Sequence, residues 1–181
     1  SLRRTPLVVR ERSFISLKGF NDSEIFHLVE LAHKYPLVLR FIELMPTENN
    51  LLEQKQRFLS STEVKKKIEE KFQLQLQKRG ANAGPAEEYL LCGTDSKIGF
   101  ISSISCKFCS TCNRIRISAK GKLRNCLFDF KEYDIRPFLQ NEKQQTQLEL
   151  MIRKSLWCKP EGQQLNQGNY GNTRSLSQFG G

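Results

Sequence analysis

The stretch that most constrains this chain runs from Phe108 to Phe128 and reads FCSTCNRIRISAKGKLRNCLF. It holds three cysteines, three arginines and two lysines, and it contains no acidic residue. Two residues separate Cys109 from Cys112, and Cys126 follows after thirteen more, which is a compact ligand spacing. Because nothing in the sequence indicates secretion, the spacing favours a metal or cluster site over a disulfide framework.

The residues between the second and third of these cysteines follow the pattern of a β-hairpin. Polar and apolar residues alternate in RIRIS, AKG can turn, and KLRNC returns. Alternation predicts a ligand face and a core face. The ligand face would carry Cys112, Arg114, Arg116, Lys122, Arg124 and Cys126, and the core face Ile115, Ile117 and Leu123. Arginines on the ligand face could offset thiolate charge and grip phosphate through forked hydrogen bonds.

The identity of the metal stays open on spacing alone. Cys106 extends the series to C-x2-C-x2-C-x13-C, and four thiolates in a tetrahedral array would suit structural zinc. Three thiolates with an open position would instead suit a [4Fe–4S] cluster that binds a further ligand. The spacing slightly favours zinc and does not decide whether Cys106 is a ligand.

Charge and composition narrow the class of protein. The chain of 181 residues has a formal net charge of +10. Residues 89–126 hold seven Lys or Arg against one acid, Asp95, which contributes +6 of that total. An excess placed around cysteines favours an anionic ligand. No apolar run approaches the ~20 residues that a membrane helix needs. The start, SLRRTPLVV, lacks an initiator Met and a signal peptide, so we expect the chain to begin within a longer protein.

The first fifty residues predict a βαβ unit. Residues 7–17 have the character of a strand, and Asp22 or Ser23 can cap a helix that runs to about Lys34. Residues 37–45, LVLRFIELM, form an apolar run of strand length. The two strands should therefore be parallel, in an α/β fold.

Arg40 lies inside that apolar run, where an unpaired charge is costly. In a βα barrel, a polar residue toward the carboxyl end of a strand often belongs to the active site. The alternative is a structural salt bridge to Glu43 or another acid.

The remainder predicts a smaller α and β region with a tail. Residues 47–58 have the composition of a connection, and Ser60 with Glu63 forms a capping box for a helix. Short strands are predicted at YLLCG and KIGFISSIS, and a last helix over 143–157. After Pro160 the composition indicates a loosely ordered tail. The predicted domains are residues 1–46, 47–165 and 166–181.

The cysteine stretch closely resembles the C-terminal cluster motif of the molybdenum cofactor GTP 3′,8-cyclases, the MoaA family of radical SAM enzymes. The resemblance runs from about residue 7 to the end and includes LKGFND, LRFIELMP, GPAEEY, KIGFISSIS and the terminal FGG, in that order. It implies the C-terminal part of an incomplete TIM-like (βα) barrel over residues 1–46, followed by an Fe–S cluster domain with a β-hairpin. The family converts GTP to 3′,8-cyclo-7,8-dihydro-GTP in the first step of molybdenum cofactor biosynthesis.

The resemblance also implies site residues and cofactors. The matching residues are Cys109, Cys112 and Cys126 for a substrate-binding [4Fe–4S] cluster, and Arg114, Arg116 and Arg40 for GTP. Cys106 is an additional residue beside the ligands. Gly180 and Gly181 match a C-terminal double glycine that enters the active site and supports catalysis. In the family, a second [4Fe–4S] cluster on a CxxxCxxC motif cleaves S-adenosylmethionine to the radical that abstracts the 3′ hydrogen of GTP.

Two departures from the family pattern limit what this chain implies by itself. CxxxCxxC is absent, so the chain alone would not generate the radical. Where the family carries Lys-x-Asn for GTP and S-adenosylmethionine, this chain has Glu11-Arg12-Ser13. Two alternatives therefore stay open. One is a catalytically inactive remnant that binds GTP and a cluster, and the other is a four-cysteine zinc module that binds nucleic acid.

The resemblance further implies partners and a compartment. The expected partners are GTP and the downstream cyclic pyranopterin monophosphate synthase, with no nucleic acid and no membrane, and a homodimer stays open. The expected compartment is the cytoplasm if the source is bacterial and the mitochondrial matrix if it is eukaryotic.

Overall fold

The computed structural model describes residues 10–80, 83–106, 108–112, 114–165, 168–171 and 173. The chain forms two compact units. The first comprises Ser1–Met45 with Leu52–Phe108, and the second comprises Pro46–Leu51 with Cys109–Gly181. The sequence-based domain bounds at 46 and 165 stay a prediction.

The first unit begins with the predicted βαβ arrangement. Strand β1 spans Arg10–Ile15, helix α1 spans Ile25–Lys34 and strand β2 spans Leu37–Ile42. The two strands pair in parallel, as predicted. A 3-10 turn precedes α1, and the Asp22 carboxylate accepts a hydrogen bond from the backbone N–H of Gly19 at 3.0 Å. No side chain caps α1, so the expected cap at Asp22 or Ser23 is wrong.

Three further strands complete a mixed sheet. Strand β3 spans Leu74–Leu76, β4 spans Glu87–Leu91 and β5 spans Lys97–Ile101. The strand order is β1-β2-β5-β4-β3, with β2 and β5 parallel and the β5-β4-β3 pairs antiparallel. The α/β class is therefore confirmed. The barrel assignment continues to rest on the resemblance.

Two helices follow β2 along the chain. Helix α2 spans Leu51–Arg57, within the segment expected to be a connection, so that expectation is wrong. Seven residues are too few to show helical periodicity in the sequence. Helix α3 spans Ser61–Glu69 and begins with the predicted capping box, in which Ser60 and Glu63 bond reciprocally.

The core of the first unit lies between the sheet and helices α1 and α3. Its fully buried helix residues are Ile25, Val29, Ala32, Val64 and Ile68. A row of aromatic rings crosses β1, β2, β5 and β4 on the covered face, with neighbouring centroids 5.7–6.0 Å apart: Phe14, Phe41, Phe100 and Tyr89. The buried Phe41 and Phe100 each contribute roughly 1.5–3 kcal/mol by leaving water. Strand alternation places Arg40, Glu88 and Lys97 on the opposite face of the sheet, together with apolar residues such as Val38 and Ile42.

The second unit is built on a small antiparallel sheet. Strand β6 spans Arg116–Ile117, β7 spans Lys122–Arg124 and β8 spans Tyr133–Asp134, in the order β6-β7-β8. A 3-10 turn at Cys109–Thr111 precedes it, and helix α4 spans Gln145–Trp157. The predicted hairpin is therefore present, with shorter strands than expected and a third strand beside it.

No helix in the described part of the chain is long and apolar enough to cross a membrane.

The turn and the faces of this hairpin have clear physical causes. Gly121 has φ +68°, a conformation that a side chain disfavours, and a Cβ there would lie 2.3 Å from Cγ of Arg136. Leu123 is fully buried, as predicted. Ile115 and Ile117 are 39% and 54% exposed, so the expectation that they face a core is wrong.

Three of the described residues after Pro160, Gln163, Leu165 and Thr173, are buried. Leu165 is 5% exposed and Thr173 is 1% exposed. The Thr173 hydroxyl donates to the carbonyl of Leu127 at 2.6 Å, and its oxygen accepts from Arg124. The expectation of a loosely ordered tail is therefore wrong for these residues.

Candidate functional site

Cys112 is surrounded by hydrogen-bond donors. Burial alone would raise the pKa of its thiol, but the backbone N–H and guanidinium of Arg114 both donate to the sulfur. Together with the charges of Arg114 and Lys159, these hydrogen bonds lower the pKa below its usual range. The surroundings of Cys112 therefore favour the thiolate, which is the form that binds metals.

Within the described part of the chain, the charges that act on Arg116 come from Arg114, Cys112 and Cys126, and no carboxylate forms an ion pair with it. Burial lowers the pKa of its guanidinium, and the nearby charge of Arg114 lowers it further. The thiolates of Cys112 and Cys126 act in the opposite direction. The hairpin thus places two arginines where both interact with cysteine sulfur.

The surroundings of Cys126 shift the pKa of its thiol in the opposite direction to those of Cys112. Burial raises the pKa of its thiol, although a hydrogen bond from the backbone N–H of Phe128 opposes this. The charge of Cys109 raises the pKa further, and that of Arg116 lowers it. Cys109 and Cys126 therefore lie near enough to interact electrostatically.

The resemblance implies that Cys109, Cys112 and Cys126 hold a cluster. Among the residues that the structure describes, no three His, Cys, Asp or Glu side chains converge on a point that could hold one metal ion. Cluster thiolates bind separate irons, so they need not converge on one point as the ligands of a single ion do. Three half-buried thiols beside cationic donors are the donor set that such a cluster requires. The residues fit a cluster by chemistry.

Two of the cations predicted for the ligand face are occupied elsewhere. The ammonium of Lys122 pairs with Asp134 at 2.8 Å. Arg124 is 3% exposed and pairs with Glu132, and its Nη1 lies 3.2 Å from Oγ1 of Thr173. The register pairs Arg124 with Arg116 across β6 and β7, which agrees with the predicted shared face. The ion pairs of Lys122 and Arg124 nevertheless engage both charges and join β7 to the segment that follows it.

Arg40 lies in the first unit, on the face of the sheet that the helices leave open. Its guanidinium contacts both oxygens of Glu11, at 2.8 and 3.1 Å, and one oxygen of Glu88 at 3.3 Å. The alternative of a salt bridge is thus observed, with Glu11 and Glu88 rather than Glu43 as the partners. A role in GTP binding stays a prediction.

Glu43 is a structural residue whose role sequence reasoning missed. It is 2% exposed, and its carboxylate accepts from the backbone N–H groups of Ser61, Ile104 and Ser105 at 2.7–2.9 Å, and from the Ser105 hydroxyl. It therefore joins the end of β2 to the start of α3 and to the segment that leads toward the cysteines. An acid inside the apolar run LRFIELM was the available signal.

The predicted roles of all the site residues stay predictions, and for three positions the structure adds little. Cys106 is exposed and belongs to the first unit, and its role as a ligand remains open. Gly180 and Gly181 lie outside the described residues.

The chain is similar to known proteins over most of its length, including the region of the cysteine hairpin. The family model described as Molybdenum Cofactor Synthesis C matches residues 37–165. The chain is 39% identical over 170 residues to a GTP 3′,8-cyclase of Syntrophomonas wolfei subsp. wolfei. The aligned region covers 93% of this chain and 52% of that relative. It is 38% identical over 167 residues to a GTP 3′,8-cyclase of Synechococcus elongatus, and this aligned region covers 92% of the chain and 51% of the relative.

The chain spans about half the length of the curated relatives it matches. The family model covers most of it and includes both the cysteine hairpin and the strand that carries Arg40. The chain therefore belongs to the Molybdenum Cofactor Synthesis C family and is homologous to the C-terminal half of the GTP 3′,8-cyclases.

Proposed function

We propose that this chain is the substrate-binding half of a GTP 3′,8-cyclase, the enzyme that converts GTP to 3′,8-cyclo-7,8-dihydro-GTP. The observation that carries the proposal is Arg116, an unneutralised cation among the described residues that interacts with the thiols of Cys112 and Cys126. A guanidinium beside the cysteines suits a ligand with two different ends. Its anionic end would bind Arg116, and its other end would meet the metal centre that the thiolates hold. The family match supports GTP as that ligand.

Cys109, Cys112 and Cys126 would hold a [4Fe–4S] cluster. When bound, a cluster on three thiolates leaves one iron open to a nitrogen or oxygen of the substrate. Arg114 donates to the sulfur of Cys112, which stabilises the thiolate and orients the loop. Zinc on four cysteines is the competing assignment, and it would require Cys106 as the fourth ligand.

The three arginines would bind the triphosphate. Arg116 is the simplest contact because it has no competing acid in the described part of the chain. Arg114 can divide its donors between sulfur and phosphate, since a guanidinium carries five N–H groups. Arg40 must first exchange its contacts with Glu11. The guanidiniums of Arg114 and Arg116 would orient GTP and offset its charge, and the role of Arg40 rests on the resemblance alone.

The radical chemistry would belong to a partner segment. A CxxxCxxC motif is absent from this sequence, so the first cluster and S-adenosylmethionine would be held by another part of a complete enzyme. The first unit would supply the last strands of the barrel, and Gly180 and Gly181 would enter the completed active site. These assignments rest on the resemblance and the family match.

Reconstitution of the chain with iron and sulfide without oxygen tests the cluster. We expect about four irons per chain and a brown chromophore that the triple Cys109, Cys112 and Cys126→Ser variant lacks. Stoichiometric zinc without the chromophore would instead establish the zinc module. The triple variant should keep the far-ultraviolet circular dichroism of the parent, which separates ligand loss from unfolding.

Complementation tests the activity. The N-terminal half of the Syntrophomonas wolfei relative, loaded with its own cluster, is mixed with this chain, S-adenosylmethionine and GTP under reducing conditions. The expected product is 3′,8-cyclo-7,8-dihydro-GTP, detected by mass spectrometry only when both halves are present. No product from two loaded and folded halves, while the intact relative is active in the same assay, would support the inactive remnant.

A pair of variants tests the GTP contact. Arg116→Ala should weaken GTP binding about tenfold or more, because a charge-assisted contact to phosphate is lost, and should leave the iron content unchanged. Lys120→Ala removes the same charge from an exposed position of the same hairpin and should have little effect. Equal losses in both variants would indicate a general charge effect and contradict the assigned contact.

A further inference from the structure

The ammonium of Lys159 meets the cysteine loop at three acceptors. Its Nζ lies 2.7 Å from the carbonyl oxygen of Cys112, 3.0 Å from the carbonyl oxygen of Arg114 and 3.5 Å from Sγ of Cys112. All three residues belong to the second unit. Lys159 follows helix α4, more than forty residues after the loop that it contacts.

The geometry matches what an ammonium can do. A lysine carries three N–H donors, and here three acceptors are in reach. The side chain is half-buried, and it forms no ion pair with a carboxylate in the described part of the chain. Its charge is therefore directed at two carbonyl dipoles and one sulfur rather than spread into solvent.

A second observation places the same segment near the other cysteine of the pair. Gly162 lies beside Cys109, since a Cβ built on Gly162 would lie 3.8 Å from Cβ of Cys109. Lys159 and Gly162 thus lie beside Cys112 and Cys109, respectively. The segment after α4 forms one wall of the cysteine loop.

We propose that Lys159 is a positioning residue of the candidate cluster site, which fixes the backbone of the Cys112 loop and donates a charged hydrogen bond to the Cys112 sulfur. This inference rests on the proposed function, because it treats Cys112 as a cluster ligand. Neither the family match nor the sequence pattern assigns a role to Lys159.

Two measurable consequences follow from the contacts. Reduction adds negative charge to a cluster, and a cation hydrogen-bonded to a ligand sulfur stabilises that charge. Loss of the ammonium should therefore shift the reduction potential to a more negative value. Loss of the two carbonyl contacts should also loosen the loop, so that iron dissociates faster.

The experiment compares Lys159→Met, Lys159→Arg and Lys154→Met in the reconstituted chain. Lys154 is exposed and its ammonium has no partner among the described residues, so Lys154→Met is the matched control. We expect Lys159→Met to lose iron to a chelator about tenfold faster or more, and to have a lower midpoint potential in an EPR-monitored titration. Lys159→Arg should restore most of both properties, and Lys154→Met should behave as the parent. An unchanged rate and potential in Lys159→Met would overturn the proposal.

A measurement on the iron-free chain separates this inference from the proposed function. Lys159→Met should speed amide hydrogen exchange at Cys112 and Arg114 even without a cluster, because the carbonyl contacts are lost. A parent chain that takes up no iron would overturn the proposed function. It would also overturn the effect on the reduction potential that we assign to the hydrogen bond between Lys159 and the Cys112 sulfur. Unchanged exchange would overturn the positioning role independently of iron.

Discussion

Arg40 and Glu11 form a two-point ion pair across the parallel strands β1 and β2, with Nη1 to Oε2 at 2.8 Å and Nη2 to Oε1 at 3.1 Å. Glu88 adds a contact to the same guanidinium and also pairs with Lys97 at 3.4 Å. Gly99 leaves the space, since a Cβ there would lie 3.1 Å from Cγ of Arg40. An anion that is to bind Arg40 must compete with this pair.

Under the proposed role of Arg40 in GTP binding, Glu11→Gln should strengthen that binding. The variant removes the charge that competes for Arg40 and keeps the shape of the side chain. Because the Glu11 side chain is 58% exposed, the pair is worth roughly 0.5–1 kcal/mol, which corresponds to about a two- to fivefold gain in affinity. Isothermal titration with GTP measures it.

The control for that prediction is Glu30→Gln, which makes the same change of charge on the exposed face of α1. Its affinity for GTP should stay close to that of the parent. Equal affinities in all three proteins would show that Glu11 does not compete for the bound nucleotide.

The capping box of α3 predicts a pH-dependent contribution to stability. The Ser60 hydroxyl and backbone N–H donate to the Glu63 carboxylate and hold its pKa below the ordinary 4.5. A lowered folded-state pKa gives stability that is present above the unfolded-state pKa and lost as the pH falls through the folded-state pKa. Ser60→Ala should lower the free energy of unfolding by about 1 kcal/mol near neutral pH, and by less in acid.

Urea unfolding at about pH 7 and about pH 3 measures this difference. Thr62→Ala is the matched control, because it removes an exposed hydroxyl from the same turn. A loss of stability in Ser60→Ala that is as large in acid as at neutral pH would show that the carboxylate does not contribute.

Glu43→Gln should be among the most destabilising single changes in the first unit. A glutamine offers one acceptor oxygen, and its amide would place N–H donors against the backbone donors that the carboxylate now satisfies. We expect a loss of about 3 kcal/mol in chemical denaturation. Ser105→Ala removes the hydroxyl donor alone and should cost about 1 kcal/mol. Similar small losses in both variants would contradict the role assigned to the carboxylate.

Gly171 and Gly168 provide a matched pair in the last described segment. Both have positive φ, at +59° and +76°, so alanine at either position costs about 1 kcal/mol from the backbone. At Gly171 a Cβ would also lie 2.5 Å from the carbonyl oxygen of Phe128, whereas at Gly168 nothing lies within 4 Å. Gly171→Ala should therefore destabilise the chain more and speed proteolysis after residue 165. Equal melting temperatures and cleavage rates would contradict the packing of this segment against Phe128.

The elements that the sequence predicted correctly are those whose signals are local. The alternation of β1, α1 and β2 follows from hydrophobic period and strand length, and the capping box follows from two residues three apart. The hairpin follows from alternation around a turn that needs Gly121. Helix α2 was missed because its seven residues lie below the length at which periodicity is visible.

The features of the candidate site also separate into those that local sequence predicts and those that depend on folding. Cysteine spacing and alternation by themselves determined that thiols and arginines share a short hairpin, and the structure brings Arg114 and Arg116 to cysteine sulfur. Only the tertiary structure decided which cations stay available. Arg124 is neutralised by Glu132 and Lys122 by Asp134, both from the turn and strand that follow, while Arg40 is held by Glu11 from β1.

Lys159 gives the clearest physical reason for that division. Its position after α4 carries no motif, and nothing in its neighbours on the chain indicates a contact with Cys112. The contact exists because α4 and the small sheet belong to one unit. Folding of this unit brings Lys159 within hydrogen-bonding distance of Cys112 and Arg114, which precede it by 47 and 45 residues. Residue types and their spacing along the chain show which groups are chemically suited to the site. Which of these groups meet depends on folding, because ion pairs and hydrogen bonds between distant segments form only once the chain has folded.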